Sequence, residues 1–414
     1  MNAAEQTTNE VDEQIWDLSF TAVELKESAA LGADVRLDLD PCTTVLVGKN
    51  GAGKSILLEK MYAGIHGAAG VVQTPEPDPA HFACEVDTAS RRNPGDIVRL
   101  RYECHWRPRD QPENPGTAAQ RIIADVDLKV EESCWILGDK NQLLWRVDDG
   151  VVTYNSGERG VIATGRTLLN WTISRPRRDG TYLFPEMAYP LRELFFSVVQ
   201  VPAGIPRSNN VREELAVPYP QSYRKRDIVE PRRVVWMAYR LVDWHETSPQ
   251  LFEEFVEVGR RIGLLDEVKV KVYRDPDANT GTHRRDLVSV LFDGTDLGLL
   301  SDGTLRVAEI LIWLIFPSAT RLLIEEPETA VHPGLLAKLL AEIDAYSSDR
   351  QIILSTQSPH VVSWADPRAI RLVERHAGRT EVRSLCEDEI GRVSAYLHDE
   401  GTLGDFVYSG ALGG

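Results

Sequence analysis

Eight consecutive residues, Gly48-Lys49-Asn50-Gly51-Ala52-Gly53-Lys54-Ser55, set glycines, a lysine and a hydroxyl in the spacing G-x-x-x-x-G-K-[ST]. The chemistry of that spacing is anion binding. Glycines let several backbone N–H groups converge on phosphate oxygens, and a helix beginning there adds its positive end. Lys54 is expected to reach the β- and γ-phosphates of a nucleotide, and the Ser55 hydroxyl to ligate Mg²⁺. A chance match somewhere in a chain of this size has odds on the order of 1%. Here the motif also follows a β-branched run (Thr43, Thr44, Val45, Val47) and opens a helix, as a strand–loop–helix phosphate site requires.

A second group is acidic. Leu322-Leu323-Ile324-Glu325-Glu326-Pro327 is an apolar strand ending in two carboxylates. Taken alone, two acids after an apolar run mark a strand emerging into solvent. Beside an intact phosphate loop they read as catalytic: Glu325 to hold Mg²⁺ directly or through water, Glu326 to polarise the attacking water as general base. The next strand, Gln351–Leu354, runs into Ser355-Thr356-Gln357-Ser358-Pro359-His360, and polar side chains at the end of a parallel strand face a ligand crevice. Upstream, Leu300-Ser301-Asp302-Gly303-Thr304 precedes an apolar helix over Leu305–Phe316. Ser301 and Gly303 have two readings: a plain helix cap, or a second anion site usable by the nucleotide of another protomer.

These residues need a frame of strands and helices. Alternation predicts strands at Phe20–Leu25 and Val35–Leu39 and a buried strand at Thr43–Val47, then a helix from Lys54 to Ala63 stopped by Gly64. Residues 75–93, rich in Pro and polar groups, read as a loop. Ile97–Cys104, Arg121–Val130 and Leu143–Tyr154 read as strands of an antiparallel region, followed by helices at Pro190–Val199, Arg232–Val242 and Pro249–Ile262. Strands at Val268–Tyr273 and Leu287–Phe292 lead back to the motifs, and a helix opens at Pro333. The expected domains are an acidic, disordered tail (1–13), the first part of a nucleotide-binding core (14–75), a β-rich and helical insert (76–285), and the remainder of the core (286–414). No heptad run is long enough for a coiled-coil arm.

Composition narrows the class. With 43% apolar and 26% charged residues and no apolar run near the ~18 residues of a membrane span, the expectation is a cytoplasmic protein without membrane contact. Five scattered cysteines without C-x-x-C spacing argue against a disulfide framework or a zinc site. His105, His245 and His283 have no metal-ligand spacing and read as surface or packed side chains. The net charge of −17 disfavours a general nucleic-acid binder, yet residues 155–240 hold 14 Lys and Arg against 8 Asp and Glu. That surplus, with Arg175–Arg178 and Arg224–Arg226 inside it, reads equally as a face for nucleic acid and as solvated charge.

The ordered set GKNGAGKS (48–55), LLSDGT (299–304), LLIEEPETAVHP (322–333) and STQSPH (355–360) resembles the ABC-type ATPase heads of the RecF and overcoming-lysogenisation-defect class. Within that class it is similar to the bacterial AAA-21 ATPases of many anti-phage systems, whose tail resembles residues 402–414 here. The resemblance covers about residues 15–65 and 290–414. It implies an α/β fold, a P-loop head of mixed sheet flanked by helices, with the inserted region between its two parts. It also implies ATP and Mg²⁺ as ligands, Ser301 and Gly303 as a signature motif on a partner's γ-phosphate, and a head-to-tail dimer around ATP. Residues 328–332 would then run across the dimer interface. Two departures stand out: Glu325 replaces the usual Asp, and Gln357 stands at the switch-histidine position, where it bonds phosphate or water but takes no charge. Gln200 is a candidate for the Q-loop glutamine. Only 54 residues follow His360, so the metal-dependent nuclease domain of some relatives is not expected, and Glu387, Asp388 and Glu389 read as a solvated loop. The expectation is an ATP-hydrolysing sensor or motor of an anti-phage assembly with a separate effector. Its rivals are a RecF-like DNA repair ATPase and an ATP-bound scaffold holding a toxin inactive.

Overall fold

The computed structural model describes residues 16–70, 78–90, 93–108, 128–171, 187–203, 217–219, 233–273 and 286–392. It divides into two compact units, Met1–Val198 with Asp366–Ile390, and Val199–Ala365 with Gly391–Gly414. The expected α/β class is borne out.

In the first unit, strands β1 (Trp16–Lys26), β2 (Val35–Asp38) and β3 (Thr43–Val47) lead into helix α1 (Lys54–Ala68). Then come β4 (His81–Ser90), β5 (Asn93–Pro108), β6 (Leu128–Leu137), β7 (Gln142–Asp148), β8 (Val151–Tyr154) and β9 (Arg159–Val161), with helices α2 (Leu168–Trp171) and α3 (Ala188–Phe196). Eight of these strands form one sheet in the order β2-β1-β4-β5-β6-β7-β8-β9. Alternation gives it two unlike faces. Phe20, Phe82, Val86, Leu100, Tyr102, Cys104, Val130, Cys134, Trp145 and Val147 are buried on one. The Phe195 ring of α3 packs there, its centroid 5.8 Å from Phe20, 6.1 Å from Phe82 and 5.3 Å from Tyr102.

The opposite face carries a charge lattice across β2, β1, β4 and β5. Arg36 Nη1 donates to Glu24 (2.7 Å) and Glu85 (2.9 Å), and Arg101 donates to Glu24 (2.9 Å) and Glu103 (2.6 Å). The Arg101 hydrogen bond holds the Glu24 carboxyl far below the usual carboxylate range. One acid lies among the buried residues instead. Glu132 accepts from Trp145 Nε1 (3.2 Å) and from the Leu168 N–H that opens α2 (2.5 Å). Burial pushes its carboxyl up to about 7.

Three local expectations are corrected here. Residues 81–90 form a strand, not a loop; Phe82, Cys84 and Val86 alternate inward, a pattern hidden by the preceding prolines. Helix α1 does not stop at Gly64: a Cβ there would lie 2.5 Å from the Phe82 ring, so glycine serves close helix–sheet contact. The single strand expected over Leu143–Tyr154 is a hairpin, turning at Asp149 and Gly150, which both have positive φ.

The second unit holds β10 (Val198–Val201), β11 (Val217–Tyr219), helices α4 (Arg233–Thr247) and α5 (Pro249–Ile262), strands β12 (Val268–Tyr273), β13 (Asp286–Phe292) and β14 (Thr295–Asp296), and helix α6 (Asp302–Ile315). Strand β15 (Arg321–Glu325), helix α7 (Pro333–Tyr346), strand β16 (Gln351–Thr356) and helix α8 (Pro359–Trp364) follow. β15 and β16 run parallel with Glu325 opposite Ser355, and β10 borders β15. Helix α6 is buried nearly all round, as its apolar sequence demands. Its Trp313 stacks on Trp236 of α4, centroids 4.2 Å apart and rings 17° from parallel. The expected helix over Pro190–Val199 ends early, because β10 begins at Val198.

The chain then returns to the first unit as β17 (Ile370–His376) and β18 (Arg379–Ser384); β17 pairs in parallel with β3. His105 packs 5.2 Å from His81, and His245 lies edge-on to Phe252. No helix among the described residues is long and apolar enough to cross a membrane. The tail 1–13, residues 121–127 of an expected strand, the clusters Arg175–Arg178 and Arg224–Arg226, His283 and residues 402–414 lie outside the described residues.

Candidate functional site

The phosphate loop stands on the buried strand β3 and is backed by the β17–β18 hairpin. A Cβ on Gly48 would lie 2.2 Å from Val373 O, and one on Gly53 would lie 2.7 Å from Thr380 Oγ1. Gly51 and Gly53 have φ of 79° and 99°, the left-handed region that glycine enters without cost. The close approaches and the positive φ together explain why Gly48, Gly51 and Gly53 are glycines. Helix α1 starts at Lys54 with no side-chain cap and no acid in its first turn. Its leading N–H groups and positive dipole end are therefore left to a ligand anion. The buried Lys54 ammonium donates to Gly48 O (2.7 Å) and Lys49 O (3.2 Å), within the loop. Asn50, Gly51 and Ser55 are exposed and Ala52 is buried. This cradle of backbone donors with one cation fits a nucleotide's phosphates, and the Ser55 hydroxyl is a hard oxygen of the kind Mg²⁺ takes.

The second unit holds Glu325, Glu326, Gln357, Ser301 and Gly303. Glu325 ends β15, which is buried except for its first residue, and Glu326 follows directly after it. Two glutamines distant in sequence reach them. Gln200 Nε2 donates to Glu325 Oε1 at 2.7 Å, and Gln357 Nε2 lies 3.4 Å from Glu326 Oε1. Glu326 has φ of 41°, a left-handed conformation costly for a side-chain-bearing residue. It is held by its N–H to Ser355 O (2.8 Å) and by Thr329 Oγ1 on its Oε2 (3.3 Å). Non-glycine strain kept in place by neighbours is characteristic of working sites. Glu328 Oε1 accepts from Thr356 Oγ1 (2.6 Å) and from Gln357 N–H (3.1 Å).

Ser301 caps α6, accepting from Thr304 N–H at 3.1 Å, so the cap reading is seen directly. A Cβ on Gly303 would meet Ala330 O at 2.2 Å; the turn after the acid pair packs on the start of α6. Arg306, five residues on, is buried and donates to Pro202 O (2.6 Å), Val201 O (3.3 Å) and Glu325 O, and pairs with buried Glu309 (3.4 Å). One guanidinium thus ties the strand ends bearing Gln200 and Glu325 to the helix bearing Ser301.

Sequence reasoning gave no individual role to Arg306, Glu328, Thr356 or Thr380. For Arg306 a signal existed: a charged pair three apart, Arg306 and Glu309, inside an otherwise apolar helix. For Thr380 there was none, since its place behind the loop depends on strand pairing across more than 300 residues. No group of three or more His, Cys, Asp or Glu able to hold a metal occurs among the described residues. Mg²⁺ needs no such cage, because it keeps waters and substrate oxygens as ligands.

Residues 247–363 match the family model described as "AAA domain, putative AbiEii toxin, Type IV TA system". The match spans Ser301, Gly303, Arg306, Glu325, Glu326 and Gln357, and agrees with the ATPase resemblance read from the motifs. No curated protein matches the chain. Among solved structures, the chain is similar to an Smc head bound to the C-terminal winged-helix domain of ScpA, with 13% identity over 90% of this chain and 99% of that one, TM-score 0.44. It is also similar to the SMC head domain of Thermotoga maritima, with 12% identity over 89% and 99%, TM-score 0.38. A third is the Smc head with an extended coiled coil from Pyrococcus furiosus, bound to the C-terminal domain of ScpA, with 11% identity over 92% and 100%, TM-score 0.41.

Proposed function

We propose that the chain binds ATP with Mg²⁺ on residues 48–55 and hydrolyses it with Glu326 as general base. The observation that carries this reading is the convergence of Gln200 and Gln357 on the adjacent carboxylates Glu325 and Glu326. A strand merely emerging into solvent gives no reason for two distant amides to meet its last acids. Lys54 and the leading N–H groups of α1 bind the phosphates. Ser55 and Glu325 would hold Mg²⁺, which when bound neutralises charge on the β- and γ-phosphate oxygens. Glu326 accepts the proton of the attacking water, and Gln357 orients that water or the carboxylate by hydrogen bonding without taking charge. Gln200 fixes the rotamer of Glu325.

Ser301 and Gly303 act on the nucleotide held by a second copy, so that two chains close head to tail around ATP. The family description links the matched segment to a putative toxin and a toxin–antitoxin system. We read the protein as the cytoplasmic sensor or motor of a phage-defence assembly whose effector is a separate protein. The same description fits an ATP-bound scaffold that restrains a toxin, and slow turnover with a stable co-purifying partner would favour that reading.

The experiment is ATP turnover by the purified chain with Mg²⁺, alongside Lys54→Ala, Ser301→Arg and their equimolar mixture. Lys54→Ala should lose nucleotide binding. Ser301→Arg should bind nucleotide but fail to dimerise with it, and the mixture should recover part of both activities through one intact composite site. Absent turnover overturns the hydrolytic reading; full activity of Ser301→Arg reduces that residue to a helix cap.

A further inference from the structure

We propose that Glu328 is a positioning residue that holds Gln357 against Glu326, so that the general base is oriented through a carboxylate two residues beyond it. The inference rests on the hydrolytic reading above and assigns a role to a residue outside it. Glu328 follows Pro327, which turns the chain away from β15. Its Oε1 takes two donors from the end of β16: the Thr356 hydroxyl at 2.6 Å and the Gln357 N–H at 3.1 Å. The Thr356 hydroxyl in turn accepts from Ser358 N–H at 2.9 Å, which orients its proton toward Glu328. The backbone on both sides of Gln357 is thereby fixed, and its side-chain amide reaches Glu326 Oε1.

The energetic logic favours a carboxylate here. Hydrogen bonds to a charged acceptor are about twice as strong as neutral ones. A single atom taking two donors also fixes the relative position of a side chain and a main chain. Glu326 lies one residue beyond β15 in a left-handed conformation, held by its N–H on Ser355 O and by Thr329, and the Gln357 amide adds a further constraint on its carboxylate. The Glu328 Oε2 atom is buried with no hydrogen-bond partner among the described residues, so only one of its two oxygens is used in the clamp. That asymmetry makes the role separable from charge: glutamine at this position keeps one carbonyl oxygen able to accept both donors.

The test compares ATP turnover and nucleotide affinity, in the presence of Mg²⁺, for the wild type and the variants Glu328→Ala, Glu328→Gln, Thr356→Val, Gln357→Ala and the double variant Glu328→Ala/Gln357→Ala. Glu328→Ala is expected to lower kcat about tenfold with nucleotide affinity nearly unchanged. Glu328→Gln should recover about half of that loss on a logarithmic scale, because a neutral acceptor bonds about half as strongly, and Thr356→Val should fall between wild type and Glu328→Ala. The double variant should be no slower than Gln357→Ala alone, since Glu328 acts only through that amide. Should Glu328→Ala misfold, the Glu328→Gln and Thr356→Val rates still decide. Additive losses in the double variant overturn the clamp, because a merely structural role gives additivity. A Glu328→Gln protein as slow as Glu326→Gln overturns it differently, by making Glu328 itself part of the proton chemistry. Wild-type turnover with unaltered Glu328→Ala kcat removes the clamp alone, whereas no wild-type turnover removes the hydrolytic reading together with it.

Discussion

The phosphate loop and the acid-pair region are built on opposite plans. Residues 48–55 present backbone: Gly48 and Gly53, whose missing side chains leave room for Val373 O and Thr380 Oγ1, Gly51 with its positive φ, and helix N–H groups left uncapped. The acid-pair region presents side chains positioned by other side chains: Gln200 on Glu325, Gln357 by Glu326, Thr356 on Glu328, with Arg306 bound to the backbone of Glu325. A backbone cradle is encoded by contiguous residues and tolerates few substitutions at its fixed positions. A side-chain lattice is encoded by residues scattered over more than 150 positions, and its members differ widely in what they do.

The strongest difference between the two regions is chemical. Glu326→Gln should keep ATP binding and lower turnover by roughly 10²–10⁴-fold, because an amide of the same size cannot accept a proton. Near-normal single-turnover rates would strip Glu326 of the base role and make the lattice structural. Next in size is Arg306→Met. It takes the guanidinium from Val201 O, Pro202 O and Glu325 O and breaks its pair with buried Glu309, together about 3–5 kcal/mol. Urea unfolding should show that loss, and removal of Glu309 in the same chain (Arg306→Met/Glu309→Met) should restore only the ion-pair part of it, since the three carbonyls still lack their donor. No loss would mean that water reaches the pair.

A smaller effect separates the first unit by pH. Glu132, raised from an ordinary 4.5 to about 7 by burial, keeps its proton in the folded chain when the unfolded chain has released it. Its contribution is therefore present below pH 4.5, falls as pH rises through 7, and is flat above; the full span is about 3 kcal/mol. Glu24, Glu85 and Glu131 are shifted downward by their cations and act in the opposite sense, losing stability as pH falls. Unfolding free energies of wild type and Glu132→Gln between pH 5 and pH 8 isolate the term, and parallel curves would show that Glu132 is ionised in the fold. Smallest is Arg99→Ala. Its pair with Asp87 is half exposed, and thermal unfolding should register less than about 1 kcal/mol.

Legibility in the sequence followed the same division. The phosphate loop, the β3 strand, helix Pro249–Ile262 and strand Val268–Tyr273 were readable because each is determined by adjacent residues. The strand His81–Ser90 was not, since the prolines ahead of it mimic a loop. Its membership in an eight-stranded sheet with β1 is a non-local fact that no local pattern carries. Among candidate site residues, the carboxylates were readable only in company with the phosphate loop, since acids after an apolar strand alone mark its exit into solvent. Gln200 was readable only as a candidate, because a glutamine in a four-residue strand has no signature until its partner is known. Arg306 and Glu328 escaped for a further reason: each acts by what it touches, and their contacts span up to 105 positions.

The stacked pair of Trp236 and Trp313 gives the second unit an optical signature of its own. Indoles 4.2 Å apart and nearly parallel are close enough for their electronic transitions to couple, which makes their emission depend on their overlap. One partner stands on α4, and the other on the same helix as Ser301 and Arg306. A slide of α6 by even a fraction of a helical turn would change their overlap before any tryptophan reached solvent. The difference between wild-type and Trp236→Phe emission therefore reads the displacement of that helix in real time, without a dye, as nucleotide is added and consumed.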